Sequence, residues 1–263
     1  MTGFSDEEKL MLYGAYGGTP LYLQQINEKE SFEGNIKRTY LKVTSYLYEE
    51  ALLLLRQEVQ EPGVYSAIIE AIASGYTKAN LHKETPFGEK ESSRKTIYGI
   101  SDFMFRFWYR YVFANRTLIE TGAQQAVWEK RIKPDYYSYM GLVFEKVCMD
   151  YLNAKNAKGE LPILYTSIGR WWGTNAATHG QEEIDLIAND GKDYLFGECK
   201  WRNEKLDISV LKALKAKADV FSMNRKNSYY VLFSKSGFTE AVLNEVRSDD
   251  SILLVDLAEL MKF

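Results

Sequence analysis

Apolar residues recur three and four positions apart through the first part of the chain, which is the spacing of amphipathic helices. Ser5 and Glu8 form a capping box at the start of the first helix, and Pro20 occupies the first position of the second. Pro62 and Gly63 interrupt the pattern further on. The predicted helices cover 7–16, a short segment from Pro20, 36–56 and 64–74.

A segment of mixed character follows these helices. Residues 84–95 are polar and predict a loop or a hairpin tip, and residues 96–100 predict a strand. The aromatic-rich stretch 102–111 predicts a helix that is buried between neighbours.

The pattern changes after Pro134. Apolar residues at helical spacing predict a helix over 136–154, and alternation by twos then takes over. The predicted strands are 163–172, 183–188, 194–201, 228–234 and 252–255, with helices over 207–221 and 239–247 between the last three. A helix, an antiparallel strand set, a second helix and more strands predict an α+β protein whose second part is an α/β domain.

Composition and charge restrict the class of protein. With 263 residues, 46% hydrophobic and 26% charged, the chain is expected to form two globular domains. Its net charge of −3 excludes a general polyanion binder, although lysines and arginines exceed acidic residues between Lys192 and Lys226. The sequence has no apolar run of membrane-spanning length, and its acidic start is unlike a secretory signal, so a cytoplasmic location is expected. Cys148 and Cys199 form no disulfide or metal framework, which agrees with a reducing compartment.

The candidate chemistry lies in a predicted hairpin. Asp190 and Gly191 are a strong turn signal between two strands. A two-residue loop makes Asp185 and Glu198 diagonal neighbours, whereas a four-residue loop over 190–193 places them directly opposite each other. In either register Asp185, Glu198 and Lys200 share a face, with the two carboxylates about 5–8 Å apart.

Two carboxylates this close require a compensating cation. Mg²⁺, or Mn²⁺, with oxygen ligands is the natural choice, because it retains water molecules for catalysis. Lys200 could then hold a nucleophilic water or the charge that grows on a phosphoryl oxygen. Glu145 lies one step off the apolar stripe of the preceding helix and is the candidate third ligand. The predicted catalytic residues are Lys200, Glu198, Asp185 and Glu145, and the last three are the predicted metal ligands.

Each assignment has a simpler structural alternative. The charged hairpin residues could merely face solvent, and a glutamate beside an apolar helical stripe is usually solvated. Lys212, Lys215 and Lys217 on the following helix could contact nucleic-acid phosphates or could form an ordinary solvated face.

These residues resemble a known signature. Asp185, then Glu198-Cys199-Lys200 after a hairpin, with Glu145 upstream, is similar to the PD-(D/E)XK nuclease superfamily pattern. The whole chain resembles the C-terminal portion of archaeal-type AAA/STAND ATPases that end in a DUF234 domain. The further matching stretches are YGAYGGTP (13–20), AIASG (71–75), ETPFG (84–88) and FRFWY (105–109).

The resemblance implies an AAA-like ATPase core, a helical lid, a winged helix and a nuclease-like domain of the restriction-endonuclease type. The chain has no glycine-rich phosphate loop, so ATP belongs only to the ATPase core and no ATP hydrolysis is expected here. The winged-helix segment is too short for its recognition helix near Asn80 and Leu81, which puts DNA reading by this helix in doubt. The implied domains are a lid-like region (1–60), a winged-helix-like region (61–115) and a DUF234 PD-(D/E)XK nuclease-like domain (130–263).

The leading hypothesis is Mg²⁺-dependent hydrolysis of DNA phosphodiester bonds. The alternative is a non-catalytic nucleic-acid or protein-binding module of a larger AAA ATPase. The expected partners are DNA and that ATPase core, without a membrane, and the oligomeric state is left open.

Overall fold

The computed structural model describes residues 3–58, 82–90, 97–175, 179–221 and 224–263. The chain divides into two compact units, of which the first comprises Met1–Glu84 and Thr96–Met140 and the second comprises Thr85–Lys95 and Gly141–Phe263. Helices in both units and a five-stranded mixed sheet in the second confirm the α+β class. The predicted helix at 64–74 lies outside the described residues.

The first unit begins as the sequence predicts. Helix α1 (Asp6–Tyr16) starts at a complete capping box, in which the Glu8 amide donates to Ser5 Oγ (3.3 Å) and the Ser5 amide donates to Glu8 Oε2 (3.0 Å). Pro20 opens the short helix α2 (Pro20–Leu23).

The single long helix predicted over 36–56 is wrong. The chain forms α3 (Phe32–Tyr40) and α4 (Tyr46–Glu58) instead, with a break over 41–45. Ser45 Oγ donates to the carbonyls of Thr39 (2.7 Å) and Lys42 (2.6 Å), which satisfies acceptors that a continuous helix would use. The apolar stripe continues across the break because Leu41 and Leu47 are both fully buried.

The rest of the first unit is rich in aromatic residues. Strands β1 (His82–Glu84) and β2 (Ile97–Gly99) pair antiparallel, and α5 (Phe103–Phe107) is capped by Asp102 and continues as a π-helical turn over Trp108–Val112. The predicted strand at 96–100 and the predicted aromatic helix at 102–111 are therefore confirmed. A 3-10 turn (Phe113–Asn115) follows, and then α6 (Arg116–Glu120), α7 (Gln124–Val127), a second π-helical turn (Trp128–Ile132) and α8 (Lys133–Ala157), whose residues from Gly141 onward belong to the second unit.

The second unit is built on a sheet in the order β3-β4-β5-β6-β7. The first three strands form an antiparallel meander, and β6 and β7 extend it in parallel to β5. Helices α9 and α10 connect the parallel strands, as parallel pairing requires. The elements are β3 (Ser167–Thr174), β4 (Gln181–Asn189), β5 (Tyr194–Lys200), α9 (Ile208–Val220), β6 (Ser228–Ser234), α10 (Glu240–Ser248), β7 (Ile252–Asp256) and α11 (Leu257–Leu260).

Most predicted strand boundaries differ from the structure by one or two residues, and the start of β3 differs by more. Strand β3 starts at Ser167 rather than at Ile163. Asn156 of α8 holds Tyr165 through both backbone groups, since Oδ1 accepts from the amide (3.0 Å) and Nδ2 donates to the carbonyl (3.1 Å). Residues bonded in this way to a helix side chain cannot take part in the strand ladder.

One face of the sheet forms a core with helices α9 and α10, and the other face packs against α8, where Tyr151 contacts the ring of Phe233. The core with α9 and α10 is formed by strand residues such as Phe196 and Leu232 and by Leu211 and Leu214 of α9. Phe87 of the segment 85–90 packs against this core and contacts the ring of Phe221. In the parts of the chain that the structure describes, no helix is both long and apolar enough to cross a lipid bilayer.

Candidate functional site

The hairpin between β4 and β5 has the four-residue loop. Asn189 pairs with Tyr194, and Asp190 Oδ1 accepts from the amides of Lys192 (2.9 Å) and Asp193 (2.8 Å) inside the turn. Gly191 adopts φ +95°, a backbone conformation that favours glycine. The two-residue alternative is therefore excluded.

The register brings the two predicted carboxylates together. The last paired residues are Leu186 and Gly197, so the next step along both strands is Asp185 opposite Glu198. Both residues are buried, with exposed fractions of 8% and 4%. Asp185 Oδ2 accepts a hydrogen bond from the Cys199 amide at 2.8 Å. This side-chain bond links β4 and β5 just beyond their last regular backbone pair.

A β-bulge lies at Asp185. Between two regular pairs, β4 has one more residue than β3, so that Asp185 and Leu186 together face Arg170. The flanking pairs are Gly169 with Ile187 and Trp171 with Ile184. The carbonyl of Arg170 accepts from the Phe87 amide at 2.7 Å. A bulge changes the direction in which side chains project, and here it does so at the residue predicted to hold a metal.

Burial and repulsion act on Asp185. Burial first, and the negative charge of Glu198 second, raise the pKa of this carboxyl from its ordinary value of 3.8 to about 6. The Cys199 amide and the two nearby lysines oppose this rise of the pKa without overcoming it. The surroundings of Asp185 therefore do not fully stabilise its negative charge.

Two ammonium groups neutralise Glu198. Lys200, on the same strand, donates to Oε1, and Lys217 of α9 lies 3.1 Å from Oε2 and 3.3 Å from Oε1. Burial alone would lower the pKa of Lys200, but the charge and hydrogen bond of Glu198 outweigh burial and leave that pKa raised. Lys200 is thus a cation in contact with one of the two carboxylates, on the face predicted for it.

The three lysines predicted to contact nucleic acid have different surroundings. Lys212 is exposed. Lys215 pairs with Asp249 at 3.1 Å and lies over the ring of Tyr230. Lys217 is the member of this set that reaches the carboxylates. The spacing of the three lysines along α9 does not predict that their surroundings differ in this way.

Glu145 belongs to a neighbouring group. Its Oε2 lies 3.4 Å from Nε of Arg170, whose guanidinium also donates to Glu183. Among the described residues, no three His, Cys, Asp or Glu side chains form a group that could hold a metal ion. The structure therefore joins Asp185, Glu198 and Lys200 and adds Lys217, while Arg170 holds Glu145.

The residue pattern did not predict that Arg170 and Cys148 lie beside these groups. An arginine in a strand has no special pattern, and its pairing with Glu145 depends on the approach of α8 to β3. Cys148 and Cys199 are buried side chains, and burial raises the pKa of both thiols, so neither is an activated nucleophile.

The arrangement has a definite chemical capacity. Two adjacent carboxylate groups provide oxygen donors for a hard divalent cation. Two ammonium groups beside them provide positive charge and N–H donors for an oxyanion such as a phosphate.

Comparison with known proteins shows similarity to a family of unknown function and gives no activity. Residues 108–217 match the model of the family DUF234, described as archaea bacterial proteins of unknown function. The chain is also 32% identical, over 96% of its length, to an uncharacterized protein of Methanocaldococcus jannaschii, and it spans 60% of that relative. No solved structure matches the chain. The chain is thus similar to the DUF234 family across a segment that contains Asp185, Glu198, Lys200, Lys217 and Glu145.

Proposed function

We propose that the second unit hydrolyses phosphodiester bonds in DNA with the help of Mg²⁺ or Mn²⁺. The observation that supports this proposal is the meeting of Asp185 and Glu198, both buried, with the ammonium groups of Lys200 and Lys217. The carboxylates would be the metal ligands. Lys200 would be the catalytic cation.

The donor set fits a divalent ion. The pKa of Asp185 is raised to about 6 by burial and by Glu198, so a further positive charge beside the pair would be stabilising. With two protein carboxylates, most of the coordination sphere of Mg²⁺ would remain water, as is usual for this ion. Glu145 remains a candidate third ligand that would first have to leave Arg170.

Each residue of the site would have a separate role in the hydrolysis reaction. A bound divalent ion would supply an activated water and positive charge for the phosphoryl oxygens. Asp185 is oriented by the Cys199 amide, so its carboxylate is held in place before any ligand binds. Lys200 would orient the attacking water or stabilise the charge that develops on the phosphoryl oxygen. Lys212, which is exposed on α9, would contact the DNA backbone.

The proposal also includes the domain assignments that the sequence resemblance implies. The sheet with its α8 and α9 helices would be a PD-(D/E)XK domain, and the region before it a lid followed by a winged helix. Since the chain spans 60% of its archaeal relative, an ATPase core that binds ATP could occupy the remaining length of such a protein. DNA and that core would be the partners.

A plasmid nicking assay tests the proposal. The chain is incubated with supercoiled DNA and either Mg²⁺, Mn²⁺ or EDTA, beside Asp185→Asn and Lys200→Met variants. Asp190→Asn removes a carboxylate from the exposed turn of the same hairpin and is the matched control. We expect nicking that requires the metal, survives in the control and falls at least about 100-fold in both site variants.

Two results would contradict this function. Nicking that persists in both site variants would show a contaminating or different activity. DNA binding without cleavage under any metal condition would favour the non-catalytic module instead.

A further inference from the structure

Glu198 is fully occupied by cations of the chain itself. Lys217 reaches it from α9, at 3.1 Å from Oε2 and 3.3 Å from Oε1, while Lys200 donates to Oε1. The side chain of Glu198 is 6% exposed and that of Lys217 is 23% exposed. Both carboxylate oxygens therefore have an ammonium partner within a largely desolvated site.

The position of Lys217 differs from that of its neighbours on the same helix. Lys215 is engaged by Asp249 and Tyr230 on another part of the unit, and Lys212 projects from the exposed side of α9. Leu214 and Ala218 on either side of Lys217 are buried in the core, which fixes the direction of this part of α9. The contact between Lys217 and Glu198 is thus set by packing rather than by a mobile surface chain.

A metal ion and an ammonium group compete for the same oxygens. A buried carboxylate without a cation is strongly destabilised, so a metal-free site of this kind requires an internal counter-ion. When a divalent ion binds Glu198, its positive charge takes over that role and repels the ammonium. The ammonium then remains beside the site, where a phosphodiester would place its non-bridging oxygens.

We propose that Lys217 is a positioning residue that serves as the exchangeable counter-ion of Glu198, displaced by a divalent metal and then available to the bound phosphodiester. This inference rests on the proposed function, specifically on a metal site at Asp185 and Glu198. It assigns Lys217 a role inside the site instead of on a general DNA-binding face.

Metal titration tests the exchange without relying on cleavage. Mn²⁺ binding to the chain is measured by isothermal titration calorimetry for the native protein and for Lys217→Met, Lys217→Arg and the control Lys205→Met, which removes an exposed ammonium group just before α9. Removing the competing cation should make Mn²⁺ bind about tenfold more tightly or better in Lys217→Met, because a charge repulsion at close range is lost. Lys217→Arg keeps the charge and should bind like the native protein. Lys205→Met should stay within about twofold.

Plasmid nicking gives the second measurement. Lys217→Met should nick DNA at least about tenfold more slowly at saturating Mn²⁺, although it binds the metal more tightly. A residue that only stabilised the fold would not move metal affinity and cleavage in opposite directions. Lys217→Gln keeps an N–H donor for Glu198 and replaces the methionine variant should that variant fail to fold.

The outcomes separate this inference from the proposed function. Unchanged or weaker Mn²⁺ binding in Lys217→Met overturns the exchange, and so does the absence of binding in every variant. Tighter binding in Lys217→Met together with no cleavage by the native chain supports the exchange as a metal-site property and overturns the nuclease function.

Discussion

Replacement of Asp185 by asparagine should stabilise the metal-free protein above pH 6. Asparagine keeps an oxygen that can accept from the Cys199 amide, whereas it removes the buried charge beside Glu198. Burial first, and Glu198 second, raise the pKa of Asp185 from 3.8 to about 6. The folded state therefore holds this proton more tightly than the unfolded chain does.

The sign and size of the effect follow from this difference. Below pH 3.8 Asp185 is protonated in both states, and the native and variant proteins should have similar free energies of unfolding. As the pH rises through about 6, the native protein loses stability that Asp185→Asn retains. Two pKa units correspond to about 3 kcal/mol, and relaxation around the charge reduces this, so we expect a gain of about 1–3 kcal/mol at pH 8.

Denaturant unfolding followed by circular dichroism at pH 4, 6 and 8 measures this gain in a buffer with EDTA. Asp190→Asn is the control with the opposite sign, because the Asp193 and Lys192 amides lower the pKa of Asp190, whose charge therefore stabilises the fold. If Asp185→Asn is as unstable as the native chain at pH 8, or less stable, the argument that burial and repulsion strain this pair is refuted.

Substitutions at three further positions test the packing of the second unit by the same denaturant unfolding. Gly197→Ala would place a methyl carbon 2.9 Å from Cβ of Leu186, so we expect a loss of about 1–3 kcal/mol, and an unchanged midpoint would contradict the tight pairing of β4 and β5. Gly141→Ala, which has no neighbour within 4 Å, should instead gain up to about 1 kcal/mol from helix propensity, and a loss would show an undetected clash. Arg170→Gln removes the ion pair with Glu145 and should lower the free energy of unfolding by about 1–3 kcal/mol. Arg170→Lys keeps the charge and should have a stability between those of the native protein and Arg170→Gln. Equal stability of the native protein and both variants would argue against this ion pair.

Local sequence patterns were sufficient to predict most strands of the second unit and its hairpin turn. Short apolar stretches bounded by turn residues predicted the central strands because β4, β5 and β6 are buried on both faces along most of their length, and Ser228–Ser234 was predicted with the bounds that the structure has. Asp190 and Gly191 located the turn, and the loop length then determined that Asp185 and Glu198 lie opposite each other. Residues two positions apart on a strand lie on the same face, so the sequence was sufficient to predict that Lys200 shares a face with Glu198.

Residue patterns alone therefore predict the kind and order of most elements and the three charged groups that share one hairpin. The separation of α3 from α4, the bulge at Asp185, and the contacts of Lys217 with Glu198 and of Arg170 with Glu145 arise only in the folded chain. Contacts of this kind join residues that lie far apart in the sequence. Periodicity reports the face that a residue occupies on its own element, whereas these contacts depend on how far one element approaches another.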